Sequence, residues 1–143
     1  MADESDLVVL DTHVWIWVLE GSERLPEGVV AELERAAEAG GILVSAIAVW
    51  ELAMLESRGR LSLSRPVDDW VAAALGAPGT AYLDLTPTIA IEATRLPGDP
   101  PPDPADRMMI ASARVAGGRL ATADVDILRY GEGGTVRTLD VRG

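Results

Sequence analysis

The sequence predicts an α/β sandwich built on a mostly parallel sheet of about five strands. Three observations carry that prediction. Short, uniformly apolar runs recur along the 143-residue chain, without the alternation of a strand that has one wet face. Between them lie stretches of helical periodicity, about 10–15 residues long, as crossover helices require. Pro, Ser, Thr or Asp stands where each helix should open, and Gly where several should close.

Taken in order, Leu7–Leu10 is the first buried strand, followed by an Asp-Thr-His turn and a short Trp-rich helix from Val14 to Leu19. Pro26 opens a second helix as its first residue, ending at Gly40-Gly41. Ile42–Val44 is the second strand, and Ser45 caps a helix from Ala46 to about Ser57, stopped near Gly59. Another helix spans Pro66 to Ala74, with Asp68 and Asp69 in its first turn. Ala81–Leu85 is a third strand, and Thr86-Pro87 has the cap-plus-proline form of a helix reaching Leu96. The Pro-rich stretch 97–102 is a loop. Asp103-Pro104 starts the next helix, which closes at Gly117-Gly118. Leu120–Thr122 and Val136–Val141 supply the fourth and fifth strands. Gly131-Glu-Gly-Gly134 precedes a strand rather than a helix, so it reads as a turn and not a nucleotide loop. Residues 1–143 read as one domain, with 1–6 as a flexible N-terminal lead.

Composition narrows the chemistry. There is no cysteine, which excludes disulfides, thiolate zinc clusters and cysteine nucleophiles. All twelve basic residues are arginine, which excludes mechanisms built on a Schiff-base or phosphate-binding lysine. The acidic start lacks a basic signal region, and no apolar run reaches the roughly 20 residues of a membrane span. A cytoplasmic protein is expected. The net charge of −11 and pI near 4.4 oppose tight, unassisted binding to nucleic acid. Bound divalent cations or a basic partner can invert that field locally.

Four acids fall where such a sheet places its ligands, outside the carboxyl ends of the strands. Asp11 follows strand one, Asp124 follows strand four, and Glu51 and Asp106 lie near the starts of two helices. Carboxylates packed together raise one another's pKa unless a cation intervenes. Mg²⁺, held by one or two carboxylates, water and substrate phosphates, removes the conflict and suits phosphodiester hydrolysis. Asp11 and Asp106 are the first choices as direct ligands. Each acid also has a plainer reading. Asp106 can complement the helix dipole, Glu51 can be an exposed helix acid, and Asp11 can form a turn. Asp103 reads as a cap, Asp84 as a strand-face acid and Asp126 as a turn residue. His13 reads as a packing residue beside two tryptophans rather than a general base. Trp15, Trp17, Trp50 and Trp70 read as core or interface aromatics.

Several ordered stretches then carry a family resemblance. They are Leu10-Asp-Thr-His13 with Trp15, Ser45-Ala-Ile-Ala-Val-Trp-Glu51, Gly59-Arg-Leu61, Asp103-Pro-Ala-Asp-Arg107 with Ile110-Ala111, and Thr122-Ala-Asp124 with Tyr130. Together they resemble the PIN-domain ribonucleases, specifically the VapC-like toxins of bacterial toxin–antitoxin pairs. The resemblance implies a PIN-like α/β/α sandwich and a catalytic quartet at Asp11, Glu51, Asp106 and Asp124. It implies Mg²⁺ or Mn²⁺ at Asp11 and Asp106, with Thr122 beside the fourth acid. It further implies a homodimer, a VapB-like antitoxin as partner, and structured RNA such as tRNA or ribosomal RNA as substrate. Related sequences often carry a lysine soon after the glutamate; here Arg58 and Arg60 are the candidates for phosphate contact.

Receiver-type and haloacid-dehalogenase-like readings both fail on the missing lysine. The latter also lacks the second aspartate, since His13 occupies that position. The alternative from another class is a nuclease-fold module whose main role is to form a complex with a partner protein.

Overall fold

The computed structural model describes residues 7–143, so the expected flexible lead at 1–6 lies outside the described residues. The chain runs β1 (Val8–Leu10), α1 (Thr12–Glu20), α2 (Glu27–Glu38), β2 (Ile42–Ser45), α3 (Ala46–Ser57) and α4 (Val67–Leu75). It continues through β3 (Thr80–Leu83), α5 (Pro87–Thr94), α6 (Pro104–Ala116), β4 (Arg119–Thr122), α7 (Val125–Gly131) and β5 (Thr138–Asp140). The five strands form one sheet in the order β3-β2-β1-β4-β5, and every pairing is parallel.

That order makes a switch point. The chain steps outward from β1 to β2 to β3, then crosses back over β1 to lay down β4 and β5 on the other side. Chain connections leave β1 and β4 in opposite directions, opening a crevice beyond their carboxyl ends. The register there is tight. Leu10 lies opposite Ala121, and the Asp11 N–H donates to the Ala121 carbonyl at 3.0 Å.

Consecutive strand residues point to opposite faces, and Val8, Val9 and Leu10 are 0%, 0% and 2% exposed. Both faces of β1 are therefore covered, as the unbroken apolar run predicts. Each such side chain contributes roughly 1.5–3 kcal/mol by leaving water. Leu52, Met109, Ile110 and Leu120 complete the centre of the core, with Trp15 meeting Trp70 edge-on at 5.2 Å. Among the described residues no helix is long and apolar enough to cross a membrane.

Local chemistry sets the joints. Ser45 caps α3 by accepting from the Ile47 and Ala48 N–H groups, and Thr86 caps α5 ahead of Pro87. Gly117 closes α6 in the left-handed region, at φ +75°. Gly79 is also left-handed, and a Cβ there would sit 2.0 Å from the Ala37 carbonyl oxygen.

Some boundaries differ from expectation. Helix α1 starts at Thr12, because Asp11 caps it instead of making a free turn. Pro26 is the residue before α2, extended at ψ 150°, rather than its first helical residue. Strand β3 ends at Leu83, so Asp84 lies past the strand, accepting from the Leu85 N–H. Helix α7 was not expected. Asp126, read as a turn residue, lies in its first turn. His13 is exposed and meets the edge of Trp17 at 6.1 Å, so it is not packed into the interior.

Candidate active site

Each predicted acid arrives by a separate route. Asp11 lies at the end of β1, is 8% exposed, and caps α1 through Oδ1, which accepts from the Thr12 N–H at 2.9 Å. Asp124 follows β4 and caps α7, its Oδ1 accepting from the Asp126 and Ile127 N–H groups. Glu51 lies in the second turn of α3. Asp106 lies in the first turn of α6, whose cap is Asp103, with Oδ1 accepting from the Asp106 N–H at 3.0 Å. All these helices begin at the carboxyl edge of the sheet, so their first turns face one crevice.

Two threonines join three of the acids into one hydrogen-bonded line. The buried Thr122 hydroxyl donates to Asp11 Oδ2 at 2.6 Å and accepts from the Asp124 N–H at 3.0 Å. The buried Thr12 hydroxyl donates to Glu51 Oε1 at 2.6 Å. Short O–H···O⁻ bonds of this kind are charge-assisted, and they fix which carboxylate oxygens remain free. Thr122 was expected beside the fourth acid, and it also clamps the first. Sequence reasoning missed the Thr12 role, although its signal was there in a hydroxyl directly after the anchoring aspartate.

Electrostatics joins the fourth acid to the rest. Burial pushes the Asp106 carboxyl up to about 7, and the charges of Asp103, Asp124, Asp11 and Glu51 add to the rise. Glu51 is also raised, first by burial and then by Asp11 and Asp103, against the opposing Thr12 hydrogen bond and the His13 charge. Asp103 is thus more than a cap, since its charge bears on both Glu51 and Asp106.

Arg58 and Arg60 are placed elsewhere. Arg58 ends α3 about two turns beyond Glu51, roughly 10 Å along the axis, and both side chains are exposed. An apolar groove of about 420 Å³ flanks the acids instead, with Trp50, Met54 and Met108 facing Glu51 and Asp103. Trp50 is 56% exposed there, so it belongs to a surface rather than the core.

The donor set fits a hard divalent cation. Every candidate ligand is a carboxylate or hydroxyl oxygen, and the mutual repulsion at Asp106 is what a cation would relieve. Among the described residues no three acids close into a complete ligand cluster by themselves.

The profile of the PIN domain matches residues 8–133. The chain belongs to the PIN-domain family. Ribonuclease VapC22 of Mycobacterium tuberculosis (strain ATCC 25618 / H37Rv) is 37% identical over 117 residues, 82% of this chain and 86% of its own. This similarity agrees with the resemblance to VapC proteins drawn from the motifs. Solved structures share the PIN fold at lower identity. VapBC2 from Rickettsia felis, bound to a DNA fragment from its promoter, superposes with a TM-score of 0.66 at 13% identity, covering 93% of this chain and 97% of that one. FitAcB from Neisseria gonorrhoeae gives 0.63 at 21% identity, with 93% and 96% covered.

Proposed function

We propose that this chain is a divalent-metal-dependent endoribonuclease, the toxin of a toxin–antitoxin pair. The observation that carries the reading is the hydrogen-bonded line Glu51–Thr12–Asp11–Thr122–Asp124 at the switch point, with Asp106 close enough to feel every one of its acids. The 37% identity to a ribonuclease of the same family supports it.

Asp11 and Asp106 would hold Mg²⁺ or Mn²⁺, with Glu51 and Asp124 completing the acidic rim. The bound ion supplies a water of lowered pKa and neutralises charge developing on the phosphodiester. The chain's own part is positional. Thr122 holds Asp11 Oδ2, so Asp11 presents its carboxylate in one orientation, and Thr12 does the same for Glu51. Arg58 and Arg60 are the proposed substrate contacts, reaching phosphates about 10 Å from the cut. Thr122, expected among the substrate contacts, is 0% exposed with its hydroxyl committed to Asp11 and the Asp124 N–H, so its part is to position the acids. Structured RNA, tRNA or ribosomal RNA, is the proposed substrate class.

A homodimer and a VapB-like antitoxin are the proposed assemblies. Exposed Trp50 and the apolar groove beside the acids are the kind of surface that a partner protein covers. The test is cleavage of structured RNA by the purified chain with and without metal. Cleavage with Mg²⁺ or Mn²⁺, lost in excess EDTA and in Asp11→Asn with unchanged circular dichroism, is the expected result. Cleavage that persists in EDTA or in the variant overturns the mechanism. A chain freed of partner that binds antitoxin but cuts no RNA supports the binding-module reading instead.

A further inference from the structure

At the opposite edge of the sheet lies a second cleft, open and about 770 Å³, between the carboxyl ends of α5 and α6 and the segment entering β5. Three arginines line it, Arg95, Arg114 and Arg137, against a single acid, Glu92. In a chain of net charge −11, this is a local excess of positive charge.

Two of the arginines are braced from behind. Arg114 donates through Nε to Glu92 at 2.8 Å and through Nη1 to the Thr135 carbonyl. Arg137 donates through Nη2 to the Gly117 carbonyl. Each therefore keeps free N–H groups on a guanidinium whose position is already fixed. Pre-placed guanidinium forks match phosphate oxygens in two-point contacts. Arg95 is exposed and forms no ion pair among the described residues. The ion pair at Arg114 and the bond from Arg137 to the carbonyl of Gly117, the cap of α6, tie two of the three to the fold; Arg95 makes no such contact among the described residues.

Resting on the nuclease reading, we propose that this cleft is a phosphodiester-binding subsite, where RNA flanking the cut is held by Arg95, Arg114 and Arg137. Helix α6 links the two places. From Asp106 to Arg114 is about 12 Å along its axis, so a folded RNA is large enough to engage both ends. The cleft also supplies positive charge that the acidic site lacks, since an anionic polymer approaching a chain of this charge needs a basic foothold.

The test uses the full chain carrying Asp11→Asn, so that RNA is bound without turnover. Its affinity for bulk tRNA is measured across a sodium chloride series, beside the same chain with Arg95→Ala and Arg137→Ala added. Arg114 is left alone because it holds both an ion pair to Glu92 and the Thr135 carbonyl, whereas Arg137 makes one exposed bond, whose loss is checked by an unchanged melting temperature. The expected result is about tenfold weaker binding, with a dependence of log affinity on log salt shallower by about 1.5 for two lost phosphate contacts. A version with Arg95→Lys and Arg137→Lys should recover most of that salt dependence. Undiminished affinity and slope in the alanine variant overturn the subsite, while RNA cleavage by the wild-type chain leaves the nuclease reading standing. A wild-type chain that does not cleave RNA, with an Asp11→Asn chain that does not bind it, overturns both.

Discussion

Thr122 does more than its size suggests. Its one hydroxyl donates to Asp11 and accepts from the Asp124 backbone, so it spans the crevice between β1 and β4. Replacing it with valine keeps the shape and removes both bonds. Asp11 Oδ2 then loses its donor in a buried place, at a cost of about 1–3 kcal/mol. Partners that orient metal-binding carboxylates change activity by about 10–100-fold when lost. Thr122→Val is therefore expected to cut the RNA cleavage rate within that range, while Thr122→Ser, which keeps the hydroxyl, retains most of it. Equal rates for all three proteins in a steady-state assay would remove Thr122 from the positioning role.

At the scale of elements, Gly79 is the joint with least freedom. It enters β3 at φ +77°, and its N-terminal approach brings it against the end of α2. Ala there meets both the left-handed penalty and the Ala37 carbonyl. Gly79→Ala is expected to destabilise the fold by at least about 2 kcal/mol, read from urea unfolding midpoints with unchanged slope. The elements themselves were largely legible. Buried strands announced themselves as unbroken apolar runs, and Ser45, Thr86 and Asp103 marked helix starts through a side-chain oxygen with a defined job. Helix α7 was not legible, since seven residues are too few to display a helical period beside a glycine cluster. The four acids could be placed at one edge because each follows a strand or opens a helix there. Their linkage through Thr12 was signalled only by a hydroxyl directly after Asp11, and its partner depends on side-chain directions that spacing does not fix. The arginine cleft was equally hidden, because its members come from three segments with no shared motif.

Across the whole molecule, the acidic crevice sets the response to pH. Asp106 titrates near 7 in the folded chain but near 3.8 when unfolded. Between those values the folded state holds the extra proton, so stability falls as pH rises through that window. The raised carboxyl of Glu51 acts in the same direction, and the acids titrate as a coupled set. Metal-free protein is expected to melt at a higher temperature at pH 5 than at pH 8, with the difference shrinking in Asp106→Asn. Millimolar Mg²⁺ should raise the melting temperature at pH 8 more than at pH 5, because protonated carboxyls are poor ligands. Calorimetry at the two pH values, with and without metal, checks both. A flat profile would show that Asp106 and Glu51 are neither buried nor crowded by their neighbours' charge as placed.

The line from Glu51 to Asp124 also bears on the timing of synthesis. Asp11, Thr12 and Glu51 are made before Thr122 and Asp124, which are some seventy residues beyond Glu51. A nascent polypeptide still lacking β4 has no partner for Asp11 Oδ2, and its sheet ends at the very crevice where the acids should meet. The acidic site is therefore the last part of the crevice to be assembled, completed only when β4 docks beside β1.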